Sequence, residues 1–134
     1  MPGSTVEHLK SLPLFARVSD DALARLADVA TEFEAPAGRV LAEIGQPGSG
    51  MFIVEEGEVV VDLPSGGEAV LGHGEFFGEM SLLTDEPHSA RVRARTAVRC
   101  IALSRRDFAT LLDKEPRVAV AMLPVLARRL RDAI

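Results

Sequence analysis

The residues best suited to chemistry lie in one stretch, residues 77–90, which we call the cassette. Its glycine, Gly78, lets a backbone approach a ligand closely. The next residue is Glu79, and a carboxylate in a concave site either accepts a ligand hydroxyl or pairs with a basic group, because its desolvation is costly. No nucleophile in the sequence stands beside a base in a recognisable pattern. The cassette therefore predicts a binding site without catalytic residues.

Two N-terminal helices precede the segments that hold the cassette. Ser4 with Glu7 resembles a capping box, and Ser19 precedes an apolar spacing typical of an amphipathic helix. An apolar connector around Leu14 lies between them, and we expect it to dock on the domain.

From Thr31 onward the pattern changes to short β-branched segments separated by glycine. We predict strands at residues 31–35, 40–44, 51–55, 59–63, 69–71, around 92–94 and at 98–103. About eight short strands in antiparallel order predict a mainly β fold with flanking helices, an antiparallel double-stranded β-helix or jelly roll.

Two C-terminal helices follow the strands. Ser104 with Asp107 forms a second capping-box pattern, and Pro116 is placed to begin the last helix. The apolar positions of that helix are spaced to pack on the roll or on a second copy of the chain. We predict one domain over residues 1–134, with helices at 4–30, the roll at 31–103 and C-terminal helices at 104–134.

The composition fits one globular unit, since the chain has 134 residues, of which 47% are hydrophobic and 26% charged. It has no signal-like N-terminus and no run of about 18 apolar residues, so we expect a cytoplasmic protein without membrane insertion. The single cysteine, Cys100, lies in an apolar alternation and is expected to be a buried, inert thiol.

The net charge of −5 hides an uneven distribution along the chain. Residues 1–87 hold 4 basic and 16 acidic side chains, whereas residues 88–134 hold 11 basic and 4 acidic ones. Such asymmetry marks either a binding face or merely solvated strand and helix faces, and we favour the second interpretation. The acidic total and the absence of Trp and Tyr argue against nonspecific nucleic-acid binding.

The cassette resembles the phosphate-binding cassette of cyclic nucleotide-binding domains, as in catabolite activator proteins and regulatory subunits of cAMP-dependent kinases. The family pattern is Phe-Gly-Glu, an apolar residue, a small residue, Leu, four variable positions, Pro-Arg, one residue and Ala. The matching residues here are Phe77, Gly78, Glu79, Met80, Ser81, Leu82, Pro87 and Ala90. The resemblance implies the family β-roll over about residues 8–130, with cAMP or cGMP as candidate ligand and neither cofactor nor metal.

The resemblance also implies roles for single residues. The backbone N–H groups of residues 80–82 would cradle the phosphate at the start of a short helix. Glu79 would accept the ribose 2′-hydroxyl, and Ser89 can donate to the phosphate. By position alone, Met122 and Leu126 of the last helix are candidates to cover the base, although we favour a core or dimer role for both.

One residue departs from the family pattern, because His88 occupies the position of the phosphate-clamping Arg. Arg offers a permanent charge and two parallel donors, whereas neutral His offers one donor. Leaving a buried phosphate without its charge partner costs ~2 to 5 kcal/mol, which is on the order of 30-fold to several thousandfold in affinity. Arg91, on the next strand, is the best candidate for a substitute cation, although a solvent-facing row of Arg91, Arg93 and Arg95 is the favoured interpretation.

Three functions are therefore compared. The first is a sensor that binds a cyclic nucleotide weakly and signals to a protein effector or through a homodimer of its C-terminal helices. The second is a degenerate interaction module that keeps the fold without the ligand. The third and least favoured is a small cupin-like metalloenzyme, because His8, His73 and His88 form no His-x-His pair and would need long-range convergence. No helix-turn-helix follows the last helix, so we expect no direct DNA binding, and a free-standing receptor and a domain of a longer chain stay open.

Overall fold

The computed structural model describes residues 6–134. Its helices are α1 Val6–Lys10, α2 Asp20–Val29, α3 Glu79–Thr84, α4 Arg105–Lys114 and α5 Pro116–Ala133, with a 3-10 turn at Pro13–Phe15. Its strands are β1 Thr31–Ala35, β2 Val40–Ala42, β3 Gly50–Glu56, β4 Val59–Asp62, β5 Glu68–Leu71, β6 Phe76–Phe77, β7 Arg91–Ala94 and β8 Val98–Ser104. No helix within the described range is both long enough and apolar enough for a membrane span.

The strands form two four-stranded sheets, ordered β1-β8-β3-β6 and β2-β7-β4-β5, in which all neighbours are antiparallel. The predicted jelly roll with flanking helices is confirmed. Strand β2 ends at Ala42, two residues before its predicted end. The register shifts between Val40 and Ala42, and the N–H of Gly45 instead donates to the carbonyl of His88 at 3.0 Å.

The first sheet has a separate core on each face, which explains the long apolar runs in β3 and β8. Met51 and Ile53 of β3 pack with the helices, whereas Val54 packs with the second sheet. The helical core includes Leu9, Leu12, Phe15, Leu23, Ile101, Leu103, Phe108, Leu111, Val118 and Met122, and the core between the sheets includes Val59, Phe77, Val92, Val98 and Cys100. The cassette leaves the roll where these two cores meet, since Phe76 belongs to the first and Phe77 to the second.

Local sequence signals set the N-termini of three helices as predicted. The N–H of Ala22 donates to Ser19 Oγ at 3.2 Å, and the N–H of Asp107 donates to Ser104 Oγ at 3.1 Å. Pro116 is the first residue of α5. The capping box predicted at Ser4 lies outside the described residues.

The uneven charge along the sequence becomes ion pairing in the folded chain. The basic row in and just after β7 faces outward, opposite the buried Val92 and Ala94. Its partners are acidic residues of neighbouring segments: Arg91 with Glu43, Arg93 with Asp62 and Glu68, and Arg95 with Glu58. Each of these arginines thus pairs with a carboxylate on the surface of the roll.

Candidate functional site

The cassette begins with a glycine that the backbone requires. Gly78 has φ +88°, a left-handed conformation that costs other residues free energy. A β-carbon at this position would also lie 2.8 Å from the carbonyl oxygen of Gly50 and 3.3 Å from Phe52 Cδ2. This tight turn starts α3 and directs the next side chain, Glu79, inward.

Glu79 is 3% exposed, although it carries a carboxylate. Its partner is Arg129 of α5, whose Nη1 lies 3.4 Å from both Glu79 oxygens. Burial raises the pKa of Glu79 above its ordinary value, and the charge of Arg129 acts in the opposite direction. The pair therefore compensates the desolvation of Glu79 only in part.

Arg129 is anchored by two further contacts. Its Nη2 donates to the carbonyl oxygen of Phe76 at 2.6 Å. Its guanidinium carbon also lies 4.6 Å from the centroid of the Phe76 ring, within the range of a cation–π interaction. Helix α5 thus places a cation directly on the carboxylate that the sequence assigned to ligand binding.

Ser81 is the small residue of the cassette and is 3% exposed. A β-carbon added at Gly48 would lie 2.3 Å from Ser81 Oγ, so both positions must be small. The Ser81 hydroxyl donates to the carbonyl oxygen of Glu86 at 2.5 Å. This hydroxyl stabilises the loop between α3 and β7.

His88 is half-buried beside the same turn. The backbone N–H of His88 donates to the backbone carbonyl of Gln46 at 3.0 Å. A β-carbon added at Gly48 would lie 3.6 Å from His88 Cε1. The neighbouring Ser89 is exposed, with its hydroxyl 3.8 Å from Met80 Sδ. The imidazole therefore lies next to Ser81 across the Gly48 backbone.

Two other cations border the cassette. Arg91 donates from Nε and Nη2 to the two oxygens of Glu43, both at 2.7 Å, so it is already engaged by a carboxylate. Arg105 donates to Asp85 at 2.6 Å and to the carbonyl of Gly48 at 3.1 Å. Arg105 is a cassette contact that the sequence reasoning missed, because nothing local links the start of α4 to residue 48.

The remaining predicted residues divide between core and surface. Phe77 is buried and stacks on Phe52, with ring centroids 5.1 Å apart. Met80 is 53% exposed, Leu82 packs against the helical core, Pro87 is exposed and Ala90 is half-buried.

The two candidate lid residues lie in the helical core. Met122 is 2% exposed, and Leu126 packs against the same cluster. The α5 residue that reaches the cassette is Arg129. The sequence contained only part of a signal for it: residues 122, 126 and 129 share a helix face, but no local pattern links that face to Glu79.

Comparisons with known proteins agree with this geometry. The model of the cyclic nucleotide-binding domain family matches residues 32–115. A cyclic nucleotide-gated potassium channel of Mesorhizobium japonicum is 40% identical over 109 residues, which are 81% of this chain and 30% of the channel. The chain thus spans less than a third of that relative's length.

Two solved structures show the same roll. The catabolite activator protein of Thermus thermophilus is 33% identical, with a TM-score of 0.77 over 90% of this chain and 59% of that one. The regulatory subunit of a cAMP-independent protein kinase A from Trypanosoma cruzi, bound to guanosine, is 25% identical, with a TM-score of 0.78 over 87% of this chain and 42% of that one. The chain belongs to the cyclic nucleotide-binding domain family.

Proposed function

We propose that residues 1–134 form a non-enzymatic sensor domain that binds cAMP or cGMP in the cassette with weakened affinity. The phosphate meets the N–H groups of residues 80–82 and the side chains of His88 and Ser89. The ribose hydroxyl donates to Glu79.

The buried carboxylate of Glu79 carries the proposal. It is 3% exposed at the start of α3, and its contacts to Arg129 are long, at 3.4 Å. A ligand hydroxyl that donates at ordinary distance, about 2.7 Å, replaces one of these long contacts to Arg129 by a shorter hydrogen bond. The site therefore favours a hydroxyl-bearing ligand next to the cradle.

The weakened affinity follows from His88. A single imidazole replaces the two parallel donors and the permanent charge of Arg. Arg91 is the proposed substitute cation, but its use requires it to leave Glu43, which it now contacts through two hydrogen bonds of 2.7 Å. Breaking the contact between Arg91 and Glu43 costs free energy, which reduces the ligand affinity that Arg91 can add.

The second candidate function is an interaction module that has lost cyclic nucleotide binding. His88 supports it, and so does the relative from Trypanosoma cruzi, a cAMP-independent kinase subunit whose structure holds guanosine. Without a phosphate, a nucleoside needs no charge partner at position 88.

The partner of either function is proposed to meet α5. Three large apolar residues of this helix are exposed by more than half: Val120 by 63%, Leu123 by 61% and Leu130 by 64%. They are suited to a homodimer or to an apolar face of an effector. Because Arg129 is on the same helix, a change at Glu79 is communicated to this face.

Calorimetric titration tests the proposal with cAMP, cGMP, guanosine and, as a control, 5′-AMP with its open phosphate. We expect weak cyclic nucleotide binding to the native chain, its loss in Glu79→Gln, and a gain of ~30-fold or more in His88→Arg. Thr110→Arg adds the same charge on the exposed face of α4 and should leave affinity unchanged.

The outcomes separate the two functions. If neither the native chain nor His88→Arg releases heat with millimolar cyclic nucleotide, the sensor proposal is wrong. If both chains also fail to bind guanosine, the second function, an interaction module without a nucleotide ligand, is supported instead.

A further inference from the structure

Three potential metal ligands from distant parts of the chain converge beneath the N-terminal helix. They are His8 of α1, Glu32 of β1 and Glu55 of β3, and one ligand atom of each lies within 4.8 Å of the other two. His8 Nε2 and Glu55 Oε2 are in direct contact. The cassette does not include any of these residues.

The innermost member of this group is Glu55, whose side chain is only 1% exposed. Among residues 6–134, neither of its carboxylate oxygens accepts a hydrogen bond of ordinary geometry from outside the group. Two adjacent carboxylates with so little compensation are costly unless a cation joins them.

The nearby cations do not supply this compensation. Arg99 interacts electrostatically with Glu55, but its ion pairs are with Glu56 at 2.8 Å and with Glu34 at 3.6 Å. The ring of His73 lies 2.7 Å from the backbone carbonyl of Glu55 and not from its carboxylate. The centre of the group thus contains two carboxylates and one imidazole.

We propose that His8, Glu32 and Glu55 form a binding site for a divalent transition-metal cation, with Zn²⁺ as the preferred ion. One imidazole nitrogen and two carboxylate oxygens are ligands that zinc accepts, and three protein ligands leave a fourth position for water. The side chain of His8 is 41% exposed and Glu32 is half-buried, so an ion can enter from solvent. The bound ion links α1 to the edge strand β1 and to the inner strand β3 of the first sheet.

The proposal departs from the sequence-based expectation of no metal site and is independent of nucleotide binding. The sequence predicted no metal site, because its histidines lack the spacing of a local cluster. The fold supplies the missing proximity, since β1 and β3 both flank β8 and α1 packs against the face of their sheet through the helical core.

The test uses a tag-free chain stripped with EDTA and titrated with zinc in competition with a chromogenic zinc indicator. The chain has no Trp or Tyr, so its concentration is set by amino-acid analysis. We expect one equivalent of zinc to bind, without displacement by millimolar Mg²⁺, which prefers octahedral oxygen ligands.

Variants assign the ligands. Glu55→Gln, Glu32→Gln and His8→Gln should each weaken zinc binding by at least ~100-fold, since even residues that only orient a ligand cost ~10- to 100-fold. The matched control is Glu34→Gln, an exposed carboxylate of the same strand as Glu32, and it should bind like the native chain.

A second readout is thermal unfolding followed by circular dichroism. Zinc should raise the melting temperature of the native chain and of Glu34→Gln but not that of Glu32→Gln or His8→Gln, because only a ligand bound to the folded state stabilises it. Equal zinc binding in all variants, or no stoichiometric binding by the native chain, would overturn the proposal. Glu55→Gln places an amide at a buried position. If this variant misfolds, Glu32→Gln and His8→Gln still test the proposal.

Discussion

Replacing Arg129 with methionine removes the charge that faces Glu79 and keeps an apolar chain of similar length over Phe76. The variant leaves a carboxylate that is 3% exposed without its ion-pair partner. It also removes the donor to the Phe76 carbonyl, now at 2.6 Å. We expect Arg129→Met to destabilise the fold and to do so mainly through Glu79.

The magnitude follows from burial and distance. Removing one partner of a fully buried ion pair costs ~3 to 5 kcal/mol. Arg129 is 28% exposed and its contacts to Glu79 are 3.4 Å long, both of which reduce that cost. We therefore expect a loss of about 2 to 3 kcal/mol in the free energy of unfolding near pH 8. Most of this loss should come from the ion pair between Arg129 and Glu79.

The loss should depend on pH. The pKa of Glu79 is raised in the folded state, so its contribution to stability is largest below the unfolded pKa and is lost as pH rises through the folded pKa. Without Arg129 the folded pKa rises further, because the charge opposing the effect of burial is gone. The difference between variant and native chain should thus be small near pH 4 and grow toward pH 8.

Urea unfolding is followed by far-ultraviolet circular dichroism, since the chain has no Trp or Tyr. The matched control is Arg128→Met, the same change one residue earlier on the exposed side of α5. A double-mutant cycle with Glu79→Gln isolates the pair. The reasoning is refuted if Arg129→Met costs as much in the Glu79→Gln background as in the native chain, or if its cost is equal at both ends of the pH range.

Three other predictions need only stability or labelling measurements. Burial raises the pKa of Cys100 to about 12, so Ellman's reagent should label it quickly only after unfolding, and fast native labelling would contradict its burial. Gly78→Ala should cost about 2 to 5 kcal/mol in urea unfolding, from strain and a clash, but Gly66→Ala, at φ +92° with no atom within 4 Å, only about 1 to 2. Met122→Ala should cost ~2 to 5 kcal/mol, whereas Leu123→Ala should stay within ~0.5; equal values would disprove the core role of residue 122.

The roll could be predicted from sequence because its signals are local. Alternating apolar residues, glycine turns and the caps at Ser19 and Ser104 each depend on a few neighbouring positions. The end of β2 was misjudged for the opposite reason. Its length depends on a register shift against β7 and on a hydrogen bond between Gly45 and His88, which no local pattern contains.

The cassette was equally accessible to sequence reasoning, since its residues are contiguous. Its partner on α5 was not, because Arg129 reaches Glu79 only after the helix has packed on the roll. The His8, Glu32 and Glu55 group was missed for the same reason. In both cases a buried carboxylate needs a partner, but the order of strands and the docking of helices determine which residue lies close enough to be that partner.

The same argument explains the uneven charge. Basic residues after position 87 pair with carboxylates before it: Arg91 with Glu43, Arg99 with Glu56 and Glu34, Arg105 with Asp85, and Arg129 with Glu79. Antiparallel pairing brings late strands beside early ones, and α4 and α5 contact the cassette, so a charge division along the chain becomes neutralisation within the fold. The division therefore gives little evidence for an external anionic partner.

The contact between Arg129 and Glu79 gives the proposed sensor a physical link between ligand and partner. A ribose hydroxyl and the Arg129 guanidinium compete for the same carboxylate oxygens, so ligand affinity is reduced by the free energy of the ion pair. Thermodynamic linkage requires the converse, that the ligand weakens the hold of α5 on the roll by the same amount. A pair worth ~1 to 3 kcal/mol then changes either equilibrium by about 5- to 150-fold, which is sufficient for signalling. Leu123 and Leu130 lie on the same helix as Arg129 and are more than half exposed, so in the proposed sensor the helix that contacts Glu79 also carries the apolar surface for a partner.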